Sequence, residues 1–138
     1  MLQCFSTLVA LRTWGWELCL MTVLIIDDSR FMRLMLKNIL VRHGFEVIGE
    51  ANDGGIGVEK YIELKPDIVT MDVTMKKMNG LDALKQIISH NSDARVLMVS
   101  SMGQEIIVRD AIIAGAKGFI VKPFDEALLI STFRKALN

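Results

Sequence analysis

Thiols, prolines and tyrosine are scarce in this chain of 138 residues, which has two cysteines, two prolines and one tyrosine. Both cysteines, Cys4 and Cys19, lie in the first segment, so nothing beyond it can be cross-linked or can hold zinc through a thiolate. A reducing, cytoplasmic compartment fits that usage. An excess of charge of one sign is also missing, because 16 basic residues cancel 16 acidic ones. This removes the electrostatic footprint of a nucleic-acid binder or of a protein held on an anionic membrane, and neither partner is expected. The first apolar run, Cys4 to Leu11, is too short to span a bilayer, and it lacks the preceding positive charge and small-residue cleavage site of a secretory signal. Arg12, the turn Trp14-Gly15-Trp16 and Glu17 then interrupt it. Residues 1–20 are read as a non-structural extension, with Met21 as an alternative start; a partner-docking or membrane-surface helix is the other reading. No linker, repeat or low-complexity tract divides the rest, and the chain stops at Asn138 without a segment expected to bind DNA. Residues 21–138 therefore read as one domain, and the 51% apolar content supplies a sizeable core.

What is present from Met21 onward is an alternation. Apolar runs of strand length at Thr22–Ile26, Glu46–Ala51, Ile68–Met71, Arg95–Val99 and Gly118–Val121 alternate with helical-length segments. The helices fall at about Ser29–Arg42, Gly55–Leu64, Leu81–Ser89, Glu105–Ala114 and Glu126–Leu137. Most of the strands are apolar at consecutive positions, as strands covered on both faces must be, which predicts an α/β fold with helices on both sides of a parallel sheet. Ser29 and Asp125 are placed to cap the first and fifth helices, and His43-Gly44 and Lys65-Pro66 to close the first and second.

Asp27 and Asp28 follow the first strand, Asp72 follows the third and Lys122 follows the fifth. In an open parallel sheet, ligands bind outside the carboxyl ends of the strands, so these four side chains are candidates for one cleft. Three carboxylates together repel unless a cation neutralises them, and hard oxygen donors with room for water suit Mg²⁺. The lysine is positioned to pair with Asp72 in an empty site or with a phosphoryl oxygen in a filled one. Taken singly, Asp28 is a cap and Lys122 a solvated loop charge; their joint placement favours a site. His43 and His90 each end a helix and are expected to cap it rather than bind metal.

Several ordered segments carry a resemblance: Val23 to Asp28, Ser29-Arg30-Phe31-Met32-Arg33, Lys65-Pro66-Asp67 to Asp72, Met78-Asn79-Gly80, Ser100-Ser101-Met102-Gly103, Ala114 to Phe119, and Lys122-Pro123-Phe124. Together they resemble a two-component response-regulator receiver domain, and within that family the stand-alone chemotaxis regulators. The resemblance implies a doubly wound, flavodoxin-like sheet of five parallel strands in the order 2-1-3-4-5. It makes Asp72 the phosphoacceptor, Asp28, Asp72 and the Thr74 carbonyl direct Mg²⁺ ligands, and Asp27 a water-mediated one. Lys122 would hold the phosphoryl group. Ser100 would bond to it on activation while Phe119 turns inward, and the Lys122–Pro123 peptide would be cis.

The same resemblance supplies partners: a sensor histidine kinase as donor, a phosphatase, and a downstream protein such as a flagellar motor switch. The molecule is expected to act as a monomer and to catalyse only its own phosphorylation and dephosphorylation. Thr74 and Met102 border the expected water path. Val108 and Ile112, one turn apart on a fourth helix rich in apolar residues, join Phe119 in the expected partner face. One departure stands out, because Lys76, followed by Lys77, occupies the position where the family commonly has proline, which predicts a less rigid loop. A sporulation-type or phosphate-sink relay is the alternative within the family. A haloacid-dehalogenase-like phosphohydrolase would need an acid where Thr74 stands, and a receiver-like module without phosphorylation would not need the full set of acids, hydroxyl and lysine.

Overall fold

The computed structural model describes residues 20–138. The extension expected at residues 1–20 lies outside the described residues apart from Leu20. The chain alternates strictly: β1 Thr22–Ile26, α1 Arg30–Arg42, β2 Glu46–Ala51, α2 Gly54–Leu64, β3 Ile68–Met71, α3 Gly80–His90, β4 Val96–Ser100, α4 Glu105–Ile113, β5 Gly118–Val121 and α5 Glu126–Leu137. All strand pairings are parallel, and the sheet order is β2-β1-β3-β4-β5, the flavodoxin-like order. Among the described residues no helix is long and apolar enough to cross a membrane.

Side chains alternate across the sheet, which divides the interior into two layers. Leu24 and Ile26 face one way, with Val69, Met71, Val96 and Met98, and pack against α2, α3 and α4 through Val58, Tyr61, Leu84, Ile87 and Ala111. Val23 and Ile25 face the other way and meet α1 and α5 through Leu36, Leu40, Leu129 and Phe133. The central strands β1, β3 and β4 are buried along their whole length. The expectation of burial on both faces does not extend to the edges: β2 buries only Ala51 and β5 only Ile120, since each has a single neighbouring strand.

Where element boundaries differ from the sequence reading, they differ by one residue, for local reasons. Ser29 stands outside α1 as its cap, accepting a hydrogen bond from the Met32 N–H at 3.2 Å. β4 runs one residue further, to Ser100, because Ser100 pairs with Val121 of β5. Asp53, Asn79 and Asp125 cap α2, α3 and α5 through their side chains. α4 is the exception, since Gln104 precedes it without a side-chain cap bond and Ala111 is its one buried residue. Lys65 closes α2 in a left-handed conformation, with φ 48°.

The histidines do not cap with their rings. His43 closes α1 through its backbone N–H, while its Nε2 lies 2.6 Å from Glu126 Oε2. His90 turns its ring edge-on to Tyr61, 6.4 Å between centroids.

Candidate functional site

The order of the sheet places β1 between β2 and β3, so the residues that follow β1 and β3 emerge side by side. Asp27 and Asp28 come from the first and Asp72 from the second. A carboxylate oxygen from each of the three lies within 4.8 Å of one from each of the others. Asp27 and Asp72 are buried and Asp28 is exposed, so the cluster opens to solvent on the Asp28 side. Oxygens this close, all hard donors, fit a small divalent cation with part of its water shell retained.

Each acid is held differently. The Asp27 N–H continues the β1–β2 ladder to the Ala51 carbonyl at 3.0 Å, and its Oδ1 accepts from the Ser29 N–H at 2.8 Å. Asp72 donates its N–H to the Ile26 carbonyl at 3.0 Å, and its Oδ1 receives only a long contact from the Thr74 N–H, 3.4 Å. Burial pushes the Asp72 carboxyl up from 3.8 to about 6; Lys122 opposes that rise, Asp27 adds to it, the Thr74 N–H opposes it and Asp28 adds a smaller push.

Lys122 follows β5 in a cis Lys122–Pro123 peptide, as expected. It pairs with Asp72, as expected, at 3.8 Å from Oδ2, but lies closer to Asp27, with Nζ 2.9 Å from Oδ2, a partner the sequence did not indicate. Asp27 sits deepest, with only 1% of its surface exposed, and needs the counter-charge most.

Ser100 ends β4 fully buried, and its hydroxyl accepts from the Met102 N–H at 3.1 Å. Thr74 is exposed, and its hydroxyl donates to the Met102 sulfur at 3.0 Å. Phe119 is half-buried and packs with Ile107 and Ala114 against the α2–α4 layer. On α4, Ile112 is exposed but Val108 is half-buried, so Val108 offers less apolar surface to the expected partner face than the helical spacing suggested. Ile106 and Ile113, at 66% and 73% exposure, lie on a different side of α4 from Val108 and Ile112.

The loop after Asp72 is anchored despite Lys76. Val73 and Met75 are buried, Lys76 and Lys77 point to solvent, and the Gly80 N–H returns to the Val73 carbonyl at 2.7 Å. A Cβ on Gly80 would stand 1.9 Å from the Asp72 carbonyl oxygen, so only glycine lets α3 start this close to the acid.

One contributor was assigned no role from sequence. Arg33, on the first turns of α1, donates from Nη1 to the Asp27 carbonyl at 2.7 Å and from Nε to Glu50 Oε1 at 3.0 Å. Glu50 lies on β2, and no local spacing links it to Arg33; the β1–β2 pairing brings them together.

A family model for the response regulator receiver domain matches residues 23–134, and the chain belongs to that family. Its relatives narrow the likeness to chemotaxis. The chemotaxis protein CheY of Thermotoga maritima is 54% identical over 113 residues, covering 82% of this chain and 94% of that protein. CheY of Bacillus subtilis is 53% identical over 116 residues, covering 84% and 97%. Among solved structures, a CheX-CheY-BeF3-Mg²⁺ complex from Borrelia burgdorferi contains a chain 42% identical to this one, with a TM-score of 0.84 over 86% of this chain and 90% of that one. These likenesses support a chemotaxis-type receiver, a signalling protein and not a conventional enzyme.

Proposed function

We propose that this receiver accepts a phosphoryl group on Asp72 from the phosphohistidine of a sensor kinase and signals through the surface formed by α4, β5 and α5. The observation that carries the reading is the gathering of Asp27, Asp28, Asp72 and Lys122 at one sheet edge beside the buried hydroxyl of Ser100. Asp72 is the nucleophile. With its carboxyl near 6, roughly nine-tenths of it is ionised at neutral pH even before a cation arrives. One Asp72 oxygen bonds to phosphorus as the bond from phosphorus to the histidine nitrogen breaks, and the product is an aspartyl phosphate. Asp28, Asp72 and the Thr74 carbonyl, with Asp27 through water, would hold Mg²⁺, which when bound offsets the charge on the transferring oxygens. Lys122 exchanges Asp27 for a phosphoryl oxygen. The hydroxyl of Ser100 turns from Met102 to the phosphoryl group, and Phe119 moves into the space released.

Water attacks the phosphorus of the acyl phosphate as its bond to the Asp72 oxygen breaks, which releases inorganic phosphate and returns the Asp72 carboxylate, with Thr74 and Met102 bordering the approach. The cytoplasm is the compartment for this exchange. A kinase, a phosphatase and a flagellar motor-switch protein are the proposed partners, and Val108, Ile112 and Phe119 the proposed contacts of the last. The Borrelia relative, found in a complex with CheX, BeF3 and Mg²⁺, supports a protein partner for this chain.

Intact mass after incubation with acetyl phosphate, with and without Mg²⁺, tests the chemistry. One Mg²⁺-dependent phosphoryl adduct, absent in Asp72→Asn, is expected; undiminished labelling of that variant refutes the assignment.

A further inference from the structure

We infer that Arg33 is a positioning residue for the acid cluster, acting through the Asp27 backbone and braced by Glu50. The inference rests on the function proposed above and adds to it the device that sets the geometry of the β1–α1 turn.

The Asp27 carbonyl lies just past the end of β1, where the sheet no longer supplies donors. The β1–β3 register ends at Ile26, and the Ile26 carbonyl already accepts from Asp72. A carbonyl at such a depth needs a partner, and the Arg33 Nη1 provides it at 2.7 Å. With that bond, every polar atom of Asp27 is engaged: the N–H by Ala51, the carbonyl by Arg33, Oδ1 by Ser29 and Oδ2 by Lys122. Asp28 is the next residue, so the peptide that presents its carboxylate begins at the carbonyl Arg33 holds. Arg33 in turn is fixed at its other end, since Nε meets Glu50 Oε1 at 3.0 Å. Lys37 Nζ stands 4.0 Å from the second Glu50 oxygen, and Lys60 Nζ donates to the Glu50 carbonyl at 2.5 Å. The brace therefore spans α1, β2 and α2. A guanidinium suits this task better than an ammonium, because its fixed fork reaches two acceptors in different directions at once.

Position and charge make opposite predictions, which makes the inference testable. A cation near three carboxylates weakens divalent-ion binding by repulsion, so deleting Arg33 for charge reasons alone would tighten Mg²⁺. If Arg33 positions the acids, deletion weakens it, by about tenfold or more as for other outer-shell supports of metal ligands.

The experiment is calorimetric Mg²⁺ titration of wild type, Arg33→Met, Arg33→Lys, Glu50→Gln and Asp72→Asn, with melting in chelator as the control for folding. We expect Mg²⁺ affinity to fall about tenfold in Arg33→Met and by less in Arg33→Lys. Glu50→Gln, which keeps an acceptor for Nε, should stay within about threefold of wild type. Unchanged or tighter binding in Arg33→Met overturns the inference while leaving the acid site intact. If Arg33→Met does not fold, Arg33→Lys decides: affinity equal to wild type refutes positioning. If wild type itself binds no Mg²⁺, or Asp72→Asn binds as well as wild type, the function reading fails and the inference with it.

Discussion

Replacing Asp72 with asparagine should make the metal-free protein more stable, not less. In the folded chain the carboxyl ionises near 6 rather than at 3.8, chiefly because burial penalises the charge. The group therefore binds its proton more tightly in the folded state than in the unfolded one. That preference favours folding fully below about pH 3.8 and is lost as pH rises through about 6. The difference from 3.8 to about 6, at 1.36 kcal/mol per unit, comes to about 3 kcal/mol of strain at pH 7.5. An asparagine cannot ionise and avoids it, though it also forgoes the pull of Lys122, already included in that balance. For a domain of this size, about 3 kcal/mol corresponds to a melting temperature higher by roughly 10 °C.

The assay is thermal unfolding of both proteins in chelator from pH 4 to 8. The gap should be under about 1 kcal/mol at pH 4 and widen until about pH 7. Added Mg²⁺ should then raise the wild type by mass action and narrow or reverse the gap, since the variant lacks one of the proposed ligands. A variant that melts at or below the wild type at pH 7.5 in chelator would refute the claim that Asp72 is a destabilising charge at rest.

Thr70, in the middle of β3, has a fully buried hydroxyl without a hydrogen-bond partner; Thr70→Val should keep the shape and raise stability by about 1 kcal/mol, measured by urea unfolding. Gly80→Ala must push α3 away from the Asp72 carbonyl, and should cost about 3 kcal/mol in the same assay and weaken Mg²⁺ binding. Asp28→Asn should reduce Mg²⁺ affinity, whereas Lys122→Ala should leave it equal or improve it while slowing phosphorylation by acetyl phosphate; equal loss of affinity in both would mean that the roles of ligand and phosphoryl clamp are misassigned. Titrating a motor-switch peptide with and without beryllofluoride should show Ser100→Ala uncoupled from activation and Val108→Glu weakened in both states; unchanged titrations would move the output face elsewhere.

Most of this architecture was legible because the signals are local. Runs such as Val23–Ile26 are buried on both faces and so are apolar at every position, and Ser29 and Asp125 mark helix starts by their own chemistry. The acids were legible for a related reason, since strand ends in a parallel sheet share one edge. Pairings across that edge were not. Whether Lys122 bonds to Asp27 or Asp72 depends on differences of about an ångström in a cleft built from three strands. The bond of Arg33 to Glu50 depends on β2 lying beside β1, and the rings of His43 and His90 found Glu126 and Tyr61 across the fold in place of their own helix ends.

The weak seating of α4 has a consequence of its own. Lacking a side-chain cap and with only Ala111 buried, it buries fewer residues than any other helix described. Segments held by few buried groups open locally at a fraction of the global unfolding free energy, so its amides should exchange with solvent ahead of those in the other helices. Re-seating such a segment requires little work. A preference of about 1.4 kcal/mol for one setting shifts its population tenfold, an amount that one relocated hydroxyl bond can deliver. On the switch proposed above, the helix that buries fewest residues is the one that a rearrangement at Ser100 would redirect.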